Sequence, residues 1–409
     1  MNYQEAYRKL EQCGQLHVLK YYDTLTEEEK QALLKQIDAT DFSVLQTGES
    51  EASGESARGK ITPLSAMELD EIEAHREEYK QIGLEAIRAG KVGAVLLAGG
   101  MGTRLGSDAP KGMYNIGLTR PMYIFERLIQ NTMDVVKESG AYVPFFVMTS
   151  DKNHDVTVKF FDEHDYFGYP KNYITFFKQE MAPASDYDGK VFMEEKGKIS
   201  TSPNGNGGWF VSMERCGVND IVRSRGIEWL NVFSVDNVLQ RIADPVFVGA
   251  VIAKDCAVGS KVVRKANPDE KVGVMCLEDG RPSIIEYYEL TDELKSAQDE
   301  KGQPAYNFGV ILNYLFREKD LEKIMDKNLP LHVVEKKIPC LDAEGNKVSP
   351  ESPNGYKYEQ LVLDMIHELD SCLPFEVVRE KEFAPIKNKT GVDSVDTARE
   401  LLRKNGVTL

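Results

Sequence analysis

The chain has 409 residues, of which 42% are hydrophobic and 28% are charged, and its formal net charge at pH 7 is −16. This length suits one large α/β domain with appendages or two domains, and the negative charge argues against nucleic acid or an anionic membrane surface as the main partner. We find no run of 18 apolar residues and no signal-peptide pattern at the N-terminus, and the six cysteines form no Cys-x-x-Cys pair. These features predict a cytoplasmic protein with reduced thiols.

Residues 1–90 are predicted to be mainly helical. Apolar residues recur at helical spacing from Tyr3, and Thr26 followed by three glutamates is typical of a helix start. The stretch 46–60 has no large hydrophobic side chain, which predicts a flexible loop. A third helical pattern covers 65–89, and we interpret the whole region as a helical cap on a catalytic domain.

From residue 91 onward, predicted strands and helices alternate. This alternation predicts an α/β fold with a mainly parallel, doubly wound sheet, whose ligands bind beyond the carboxyl ends of the strands. We assign the catalytic domain to 91–320, and we expect 321–409 to form a C-terminal α/β segment that extends the sheet and closes over the site. Strands are expected at 92–97, 143–148, 173–177 and 229–235, with helices at 122–139 and 153–164.

A glycine-rich turn follows the first buried strand. It reads Leu-Ala-Gly-Gly-Met-Gly-Thr-Arg-Leu-Gly over 97–106, with Pro-Lys at 110–111. Glycines let main-chain N–H groups approach an anion, and Arg104 and Lys111 add the positive charge that a triphosphate requires.

Two other phosphate-binding motifs fit this chain less well. A dinucleotide-binding turn needs Gly-x-Gly-x-x-Gly, and the third glycine is one residue late here. The Walker-type match at 54–60 lacks its hydroxyl residue and a preceding strand. The turn at 97–106 matches a nucleotidyltransferase signature instead.

Polar side chains follow two later strands. Asp236 ends a buried strand, where a carboxylate beside a triphosphate suits Mg²⁺; capping of the next helix is the alternative role. Gln179 presents a donor and an acceptor side by side, which suits the edge of a uracil, although an isolated glutamine after a strand more often faces solvent.

With these motifs the chain resembles the UDP-sugar pyrophosphorylases, most closely the eukaryotic-type UDP-N-acetylglucosamine pyrophosphorylases, over about residues 91–398. Further matching segments are Ser-Pro-Asn-Gly-Asn-Gly-Gly at 202–208, Asn-Gly-Tyr-Lys at 354–357 and Pro-Ile-Lys-Asn at 385–388. The resemblance implies a nucleotidyltransferase (Rossmann-like) sheet with UTP and a sugar 1-phosphate as its small-molecule partners.

The resemblance also implies roles for individual residues. Arg104, Lys111 and Lys387 are expected to be catalytic, and Asp236 is expected to hold Mg²⁺ or Mn²⁺. The expected UTP-binding residues are Leu97, Ala98, Gly99, Gly100, Lys111, Gln179, Gly205, Asp236 and Lys357, and the expected sugar-binding residues are Asn206, Gly273, Glu286, Tyr287 and Asn307.

The implied reaction is nucleotidyl transfer without a covalent protein intermediate, from UTP and N-acetylglucosamine 1-phosphate to UDP-N-acetylglucosamine and pyrophosphate. Phe308, Val310, Leu361 and Leu363 depart from the family pattern, so glucose 1-phosphate, a galacto-epimer or a broad set of sugars remain alternatives. A non-catalytic sugar-nucleotide sensor and a nicotinamide-dependent oxidoreductase are the readings from other classes. The oligomeric state is open, with a monomer favoured.

Overall fold

The computed structural model describes residues 1–46, 58–327 and 329–409. The loop predicted near 46–60 lies almost entirely outside these residues. Within the described ranges, no helix combines the length and the apolar character needed to cross a membrane.

The described chain contains short and long strands that are numbered here in chain order. They are β1 Ile61–Pro63, β2 Val92–Leu97, β3 Phe145–Thr149, β4 Ile174–Lys178, β5 Met181–Pro183, β6 Met193–Glu195, β7 Lys198–Ile199, β8 Thr201–Pro203, β9 Trp229–Ser234, β10 Val258–Arg264, β11 Val274–Glu278, β12 Arg281–Ile285, β13 Phe308–Arg317, β14 His332–Lys336, β15 Cys340–Leu341, β16 Lys347–Val348, β17 Gly355–Glu359 and β18 Cys372–Glu376.

The α-helices of the described residues are mostly short. They span Tyr3–Gln12, Glu27–Ala39, Leu69–Ala74, Arg76–Arg88, Ile124–Ser139, His154–Glu163, Trp209–Arg215, Val218–Arg225, Pro245–Ala253, Asp292–Ser296, Glu318–Ile324, Val362–His367, Arg379–Glu382 and Val395–Lys404. The helices predicted at 122–139 and 153–164 are therefore confirmed, and the pattern at 65–89 forms two helices that meet at His75.

The chain folds into two compact units. The described parts of Met1–Ala57, Glu180–Gly208 and Asn328–Val362 form one, here called the small unit, and Arg58–Gln179, Trp209–Lys327 and Leu363–Leu409 form the other, here called the sheet unit. Both units are assembled from separate stretches of the chain.

A ten-stranded mixed sheet forms the centre of the sheet unit. Strands β9, β2, β3 and β4 are neighbours and run parallel, and β18 runs parallel to β10. Strand β13 pairs antiparallel with β9 and β10, and β11 pairs antiparallel with β1, β12 and β13. The prediction of a mainly parallel sheet thus holds for the β9–β2–β3–β4 block and for the β10–β18 pair, and it is corrected for the antiparallel pairings of β1, β11, β12 and β13.

A tight hairpin explains the antiparallel part. Asp279 and Gly280, between β11 and β12, have φ of 49° and 83°, as the two-residue turns of hairpins require. The hairpin reverses the chain direction, so that β12 runs antiparallel to β11. The next strand, β13, also runs antiparallel to β11 and to β9. A parallel neighbour would have needed a crossover connection instead.

Helices cover the parallel block and bury it. Every residue of β2 is buried, and it belongs to one hydrophobic cluster with residues of β3, β9 and the helix Ile124–Ser139. On another side, Gly83 and Gly249 allow two helices to touch: a Cβ on Gly249 would collide with the Tyr79 carbonyl, and one on Gly83 with the Pro245 carbonyl. The core therefore leaves only the strand ends and their loops for chemistry.

The small unit has its own core. Helices Tyr3–Gln12 and Glu27–Ala39 contribute Leu10, Leu33 and Ile37, which cluster with side chains of 191–199 and with Tyr358. The predicted helix start at Thr26 is confirmed, with a capping box to Glu29.

Strands of the C-terminal region are divided between the two units. Strand β14 pairs with β17 in a two-stranded sheet of the small unit, whereas β18 joins the large sheet beside β10. The expectation that the C-terminal segment 321–409 extends the sheet is therefore met by β18 and corrected for β14, which pairs with β17 instead.

Candidate functional site

The glycine-rich turn lies directly beyond the carboxyl end of β2. Leu97 ends the strand, and the Ala98 amide donates to the Met148 carbonyl at the end of β3. The turn folds back on itself, since the Lys111 amide donates to the Gly100 carbonyl (3.1 Å) and the Gly102 amide to the Ala109 carbonyl (2.9 Å). It therefore forms a closed bend at the strand end.

Two glycines of this bend have different surroundings. A Cβ at Gly99 would collide with the side-chain amide of Gln179, whereas nothing lies within 4 Å of the position that a Cβ would take at Gly100. Gln179 is only 7% exposed, so the solvent-facing reading of this residue is excluded. The bend thus combines a buried amide side chain with open space beside Gly100.

Charged residues from three separate segments meet beside the bend. The Lys111 ammonium lies 3.6 Å from the Asp236 carboxylate, whose other oxygen accepts a short hydrogen bond from the Ser234 hydroxyl. Burial lowers the pKa of Lys111; Asp236 opposes this shift, and the positive charges of Arg104 and Lys387 add to it. The predicted residues Arg104, Lys111, Asp236 and Lys387 are therefore brought together.

Asp236 does not cap a helix. The helix that follows it is Pro245–Ala253, and its N-cap is Asp244, whose carboxylate accepts from the Val246 amide. The Asp236 carboxylate faces Lys111 instead. This excludes the alternative role considered for it from sequence.

Backbone pairing joins the Asp236 segment to the Lys387 segment. The Ile386 amide donates to the Asp236 carbonyl (2.9 Å), and the buried Asn237 side chain bonds to the same segment twice. Its Nδ2 donates to the Glu382 carbonyl (2.7 Å), and its Oδ1 accepts from the Ala384 amide (2.9 Å). Asn237 therefore sets the position of Lys387 relative to Asp236.

A relay of fully buried amide side chains supports the same segment from the other side. Gln240 Nε2 donates to the carbonyls of Ser234 (2.7 Å) and Asn237 (2.9 Å). Asn313 Nδ2 donates to Gln240 Oε1, and Asn231 Nδ2 donates to Asn313 Oδ1. These positioning residues were missed from sequence, although asparagine inside a buried strand was a signal that could have indicated them.

Lys387 also contacts a residue that the sequence analysis did not single out. Its ammonium lies 3.2 Å from the Asp393 carboxylate, and its amide donates to the Asp393 carbonyl. A polyanionic ligand would compete with Asp393 for this lysine.

The predicted sugar-binding residues of the sheet unit lie around β11 and β13. The Gly273 carbonyl accepts from the Val310 amide (2.9 Å), and a Cβ on Gly273 would stand 3.5 Å from the Glu286 carboxyl group. Asn307 directly precedes β13, and Tyr287 is 39% exposed. Gly273 and Glu286 are thus brought together.

Glu286 is held through a contact that the sequence did not indicate. Its amide donates to Glu289 (2.8 Å), and the Arg58 guanidinium binds Glu289 and Glu278. Arg58 belongs to the segment of the Walker-type match at 54–60. Its ion pairs with Glu278 on β11 and with Glu289 connect this segment to the β11–β12 hairpin.

The remaining predicted residues belong to the small unit. Gly205 has φ of +89° and its Cα approaches the Gln360 carbonyl so closely that no Cβ fits. Asn206 Oδ1 accepts from the Val362 amide (2.9 Å), and Lys357 lies on β17, opposite Val334. The loop carrying Gly205 and Asn206 is therefore held against 360–362.

Comparison with known proteins identifies the family. The model of the UTP–glucose-1-phosphate uridylyltransferase family matches residues 44–398. The chain belongs to this family.

Relatives of this family member are similar over most of its length. UDP-N-acetylglucosamine pyrophosphorylase from Saccharomyces cerevisiae is 40% identical over 81% of the chain and 72% of its own length. UDP-N-acetylhexosamine pyrophosphorylase-like protein 1 from Mus musculus is 36% identical over 94% of the chain and 80% of its own length. The crystal structure of the Trypanosoma brucei UDP-N-acetylglucosamine pyrophosphorylase with an inhibitor covers 98% of the chain and 84% of its own, with a TM-score of 0.81 and 26% identity.

Removal of the Asn237 side chain tests the connection between the two charged segments. Asn237→Ala leaves buried backbone groups of 382–384 without partners, so we expect the free energy of unfolding to fall by about 2 kcal/mol or more. Urea denaturation measures the change. Asn388→Ala is the matched control, because Asn388 is exposed and its side chain donates to the Val392 carbonyl at the surface; equal losses in both variants would contradict the role of Asn237.

Proposed function

We propose that this protein is a uridylyltransferase that makes UDP-N-acetylglucosamine and pyrophosphate from UTP and N-acetylglucosamine 1-phosphate. Family membership and the names of its relatives support the activity. The observation that carries the proposal is the group of three cations and one carboxylate beside the bend after β2. We also propose that β9, β2, β3 and β4 form the nucleotidyltransferase (Rossmann-like) part of the fold.

The roles follow from the charges that the reaction brings together. The phosphate of the sugar attacks the α-phosphorus of UTP in line with the departing pyrophosphate, so two polyanions must approach each other. We assign Arg104 to the β- and γ-phosphates, Lys111 to the α/β region, and Lys387 to the sugar phosphate and the attacked phosphorus. Positioning and charge stabilisation then replace any covalent protein intermediate.

Asp236 fits a role as metal ligand. Magnesium binds through one or two carboxylates together with phosphate oxygens and water, and among the described residues no group of three or more His, Cys, Asp and Glu side chains could hold a metal alone. A bound Mg²⁺ or Mn²⁺ would neutralise part of the phosphate charge. The chain itself holds the Asp236 carboxylate in place through Ser234 and Lys111.

The remaining assignments complete the substrate site. We propose that the main chain of 97–100 and the amide of Gln179 bind the nucleotide, together with Gly205 and Lys357. Glu286 would accept hydrogen bonds from sugar hydroxyls beside Gly273, with Asn206, Tyr287 and Asn307 as the other sugar-binding residues.

Truncation of the two lysines tests the proposed catalytic roles. We expect Lys111→Ala and Lys387→Ala each to lower kcat by about 10²-fold or more, as removal of a transition-state donor does. Pyrophosphate release from UTP and the sugar phosphate is the measurement. Lys389→Ala, two residues from Lys387 and exposed, should retain the wild-type rate; near-normal rates for the first two variants would reject the assignment.

The lowered pKa of Lys111 predicts an alkaline limit to catalysis. The cationic form binds phosphate, so kcat/KM of the free enzyme should decline as pH rises through a value below the ordinary lysine pKa of about 10.4. In Lys111→Arg this decline should move to higher pH, since guanidinium stays charged. Ionisation of the uracil ring is common to both enzymes, and an unchanged profile in the variant would contradict the prediction.

Parallel rate measurements decide the sugar. We expect N-acetylglucosamine 1-phosphate to give the highest kcat/KM among the N-acetylglucosamine, N-acetylgalactosamine, glucose and galactose 1-phosphates. A preference for glucose 1-phosphate would instead favour the activity in the family description, and equal use of all four would indicate a broad pocket. Tight binding of UDP-sugar without pyrophosphate release would indicate a sensor.

A further inference from the structure

A polar cavity lies in the sheet unit, separate from the candidate site. It has a volume of about 450 Å³ and is lined by the helix Ile124–Ser139, by 239–241 and by Lys381, Glu382 and Asn405. None of the residues assigned above to UTP, sugar or metal lines it. Two of its walls nevertheless continue along the chain into the site, since 239–241 follows Asp236 and Lys381–Glu382 precedes Lys387.

Arg127 is the unusual residue of this cavity. Its Nε is shielded from solvent and has no hydrogen-bond partner, and Nη1 donates only to the amide oxygen of Gln130 (3.2 Å). Among the described residues, no carboxylate lies within 4 Å of its guanidinium nitrogens. Burial lowers the pKa of Arg127, and Asp134, which is too far away to form an ion pair with it, opposes this shift. The partly buried guanidinium is therefore open to an anion in the cavity.

The other charged residues around the cavity form no ion pair with Arg127. Arg241 and Lys381 add positive charge to the lining. The two lining carboxylates have their own cations: Asp134 lies 3.2 Å from the Lys137 ammonium, and Glu382 lies 2.5 Å from the fully buried Lys261. Arg241 itself is paired with Glu138 and Asp244, which leaves Arg127 and Lys381 to meet a ligand.

We propose that this cavity binds the phosphate group of a small metabolite, at a site separate from the substrate site. The planar guanidinium of Arg127 suits two phosphate oxygens at once, with Lys381 and the amides of Asn131 and Asn405 along the same walls. The volume falls in the range of roughly 300–1,000 Å³ that is typical of small-ligand sites. Because its walls lead to Asp236 and Lys387, an occupant of this cavity acts on the segments that carry both residues.

Thermal unfolding with inorganic phosphate as the probe tests the proposal. Phosphate should raise the midpoint of the wild type above that in sodium chloride of equal ionic strength, because ligands of the native state stabilise it. Part of the rise is expected to come from the substrate site. Lys387→Ala should therefore keep the part that arises in the cavity, and Arg127→Met should lose that part while keeping the rest.

A stability measurement without phosphate separates ligand binding from a structural role. Arg127→Met keeps an unbranched chain of similar length and removes the unpaired charge, so its midpoint should equal or exceed that of the wild type. Arg399→Met is the matched control. Arg399 is also partly buried but donates to the Ile116 and Gly117 carbonyls, so its loss should lower the midpoint.

The outcomes are distinct. A wild type without a phosphate-dependent rise, or an Arg127→Met variant that retains the whole rise, would overturn the proposal, as would a loss of stability in Arg127→Met equal to that in Arg399→Met. If Arg127→Met fails to fold, the exposed Lys381→Ala takes its place, and an unreduced phosphate effect in that variant has the same meaning. None of these results depends on the proposed reaction.

Discussion

The ion pair between Lys111 and Asp236 is the interaction on which the candidate site depends. It brings the end of the glycine-rich bend to the segment after β9, at 3.6 Å. The two strands that precede these segments are parallel neighbours, so their carboxyl ends share one edge of the sheet. Asn237 then ties the segment of Lys387 to the same edge, and the site becomes one group of charges drawn from three distant parts of the chain.

The net charge of this group is positive, although the net charge of the whole protein is negative. The chain carries a net charge of −16, yet Arg104, Lys111 and Lys387 lie close enough for the two other cations to lower the pKa of Lys111. Like charges held together without a ligand cost free energy. The buried amides of Asn231, Asn313 and Gln240 and the backbone pairing of 382–386 supply the rigidity that keeps this arrangement in place. In the separate cavity, Arg127 is a cation that no carboxylate of the described residues approaches within 4 Å.

Much of the local structure could be predicted from local sequence. The capping pattern at Thr26 and the buried run of β2 follow from chemistry within a few residues, and the structure confirms both. Strand direction in the sheet was less accessible, because the pairing of β13 with β9 joins residues far apart in the chain. The pairing of β14 with β17 was also missed, because the residue pattern of a strand does not indicate which other strand it pairs with.

The sequence by itself determined which residue types stand at the ends of buried strands: glycines and a lysine after β2, a glutamine after β4, an aspartate after β9. The chemical properties of these residues follow from their side chains and are known without the three-dimensional structure. Only the tertiary structure decided which of them meet, that Gln179 is buried against Gly99, and that Asn237 and Gln240 hold the Asp236 segment. Contacts of this kind are invisible in a linear pattern, because long-range packing brings together groups that no fixed spacing relates.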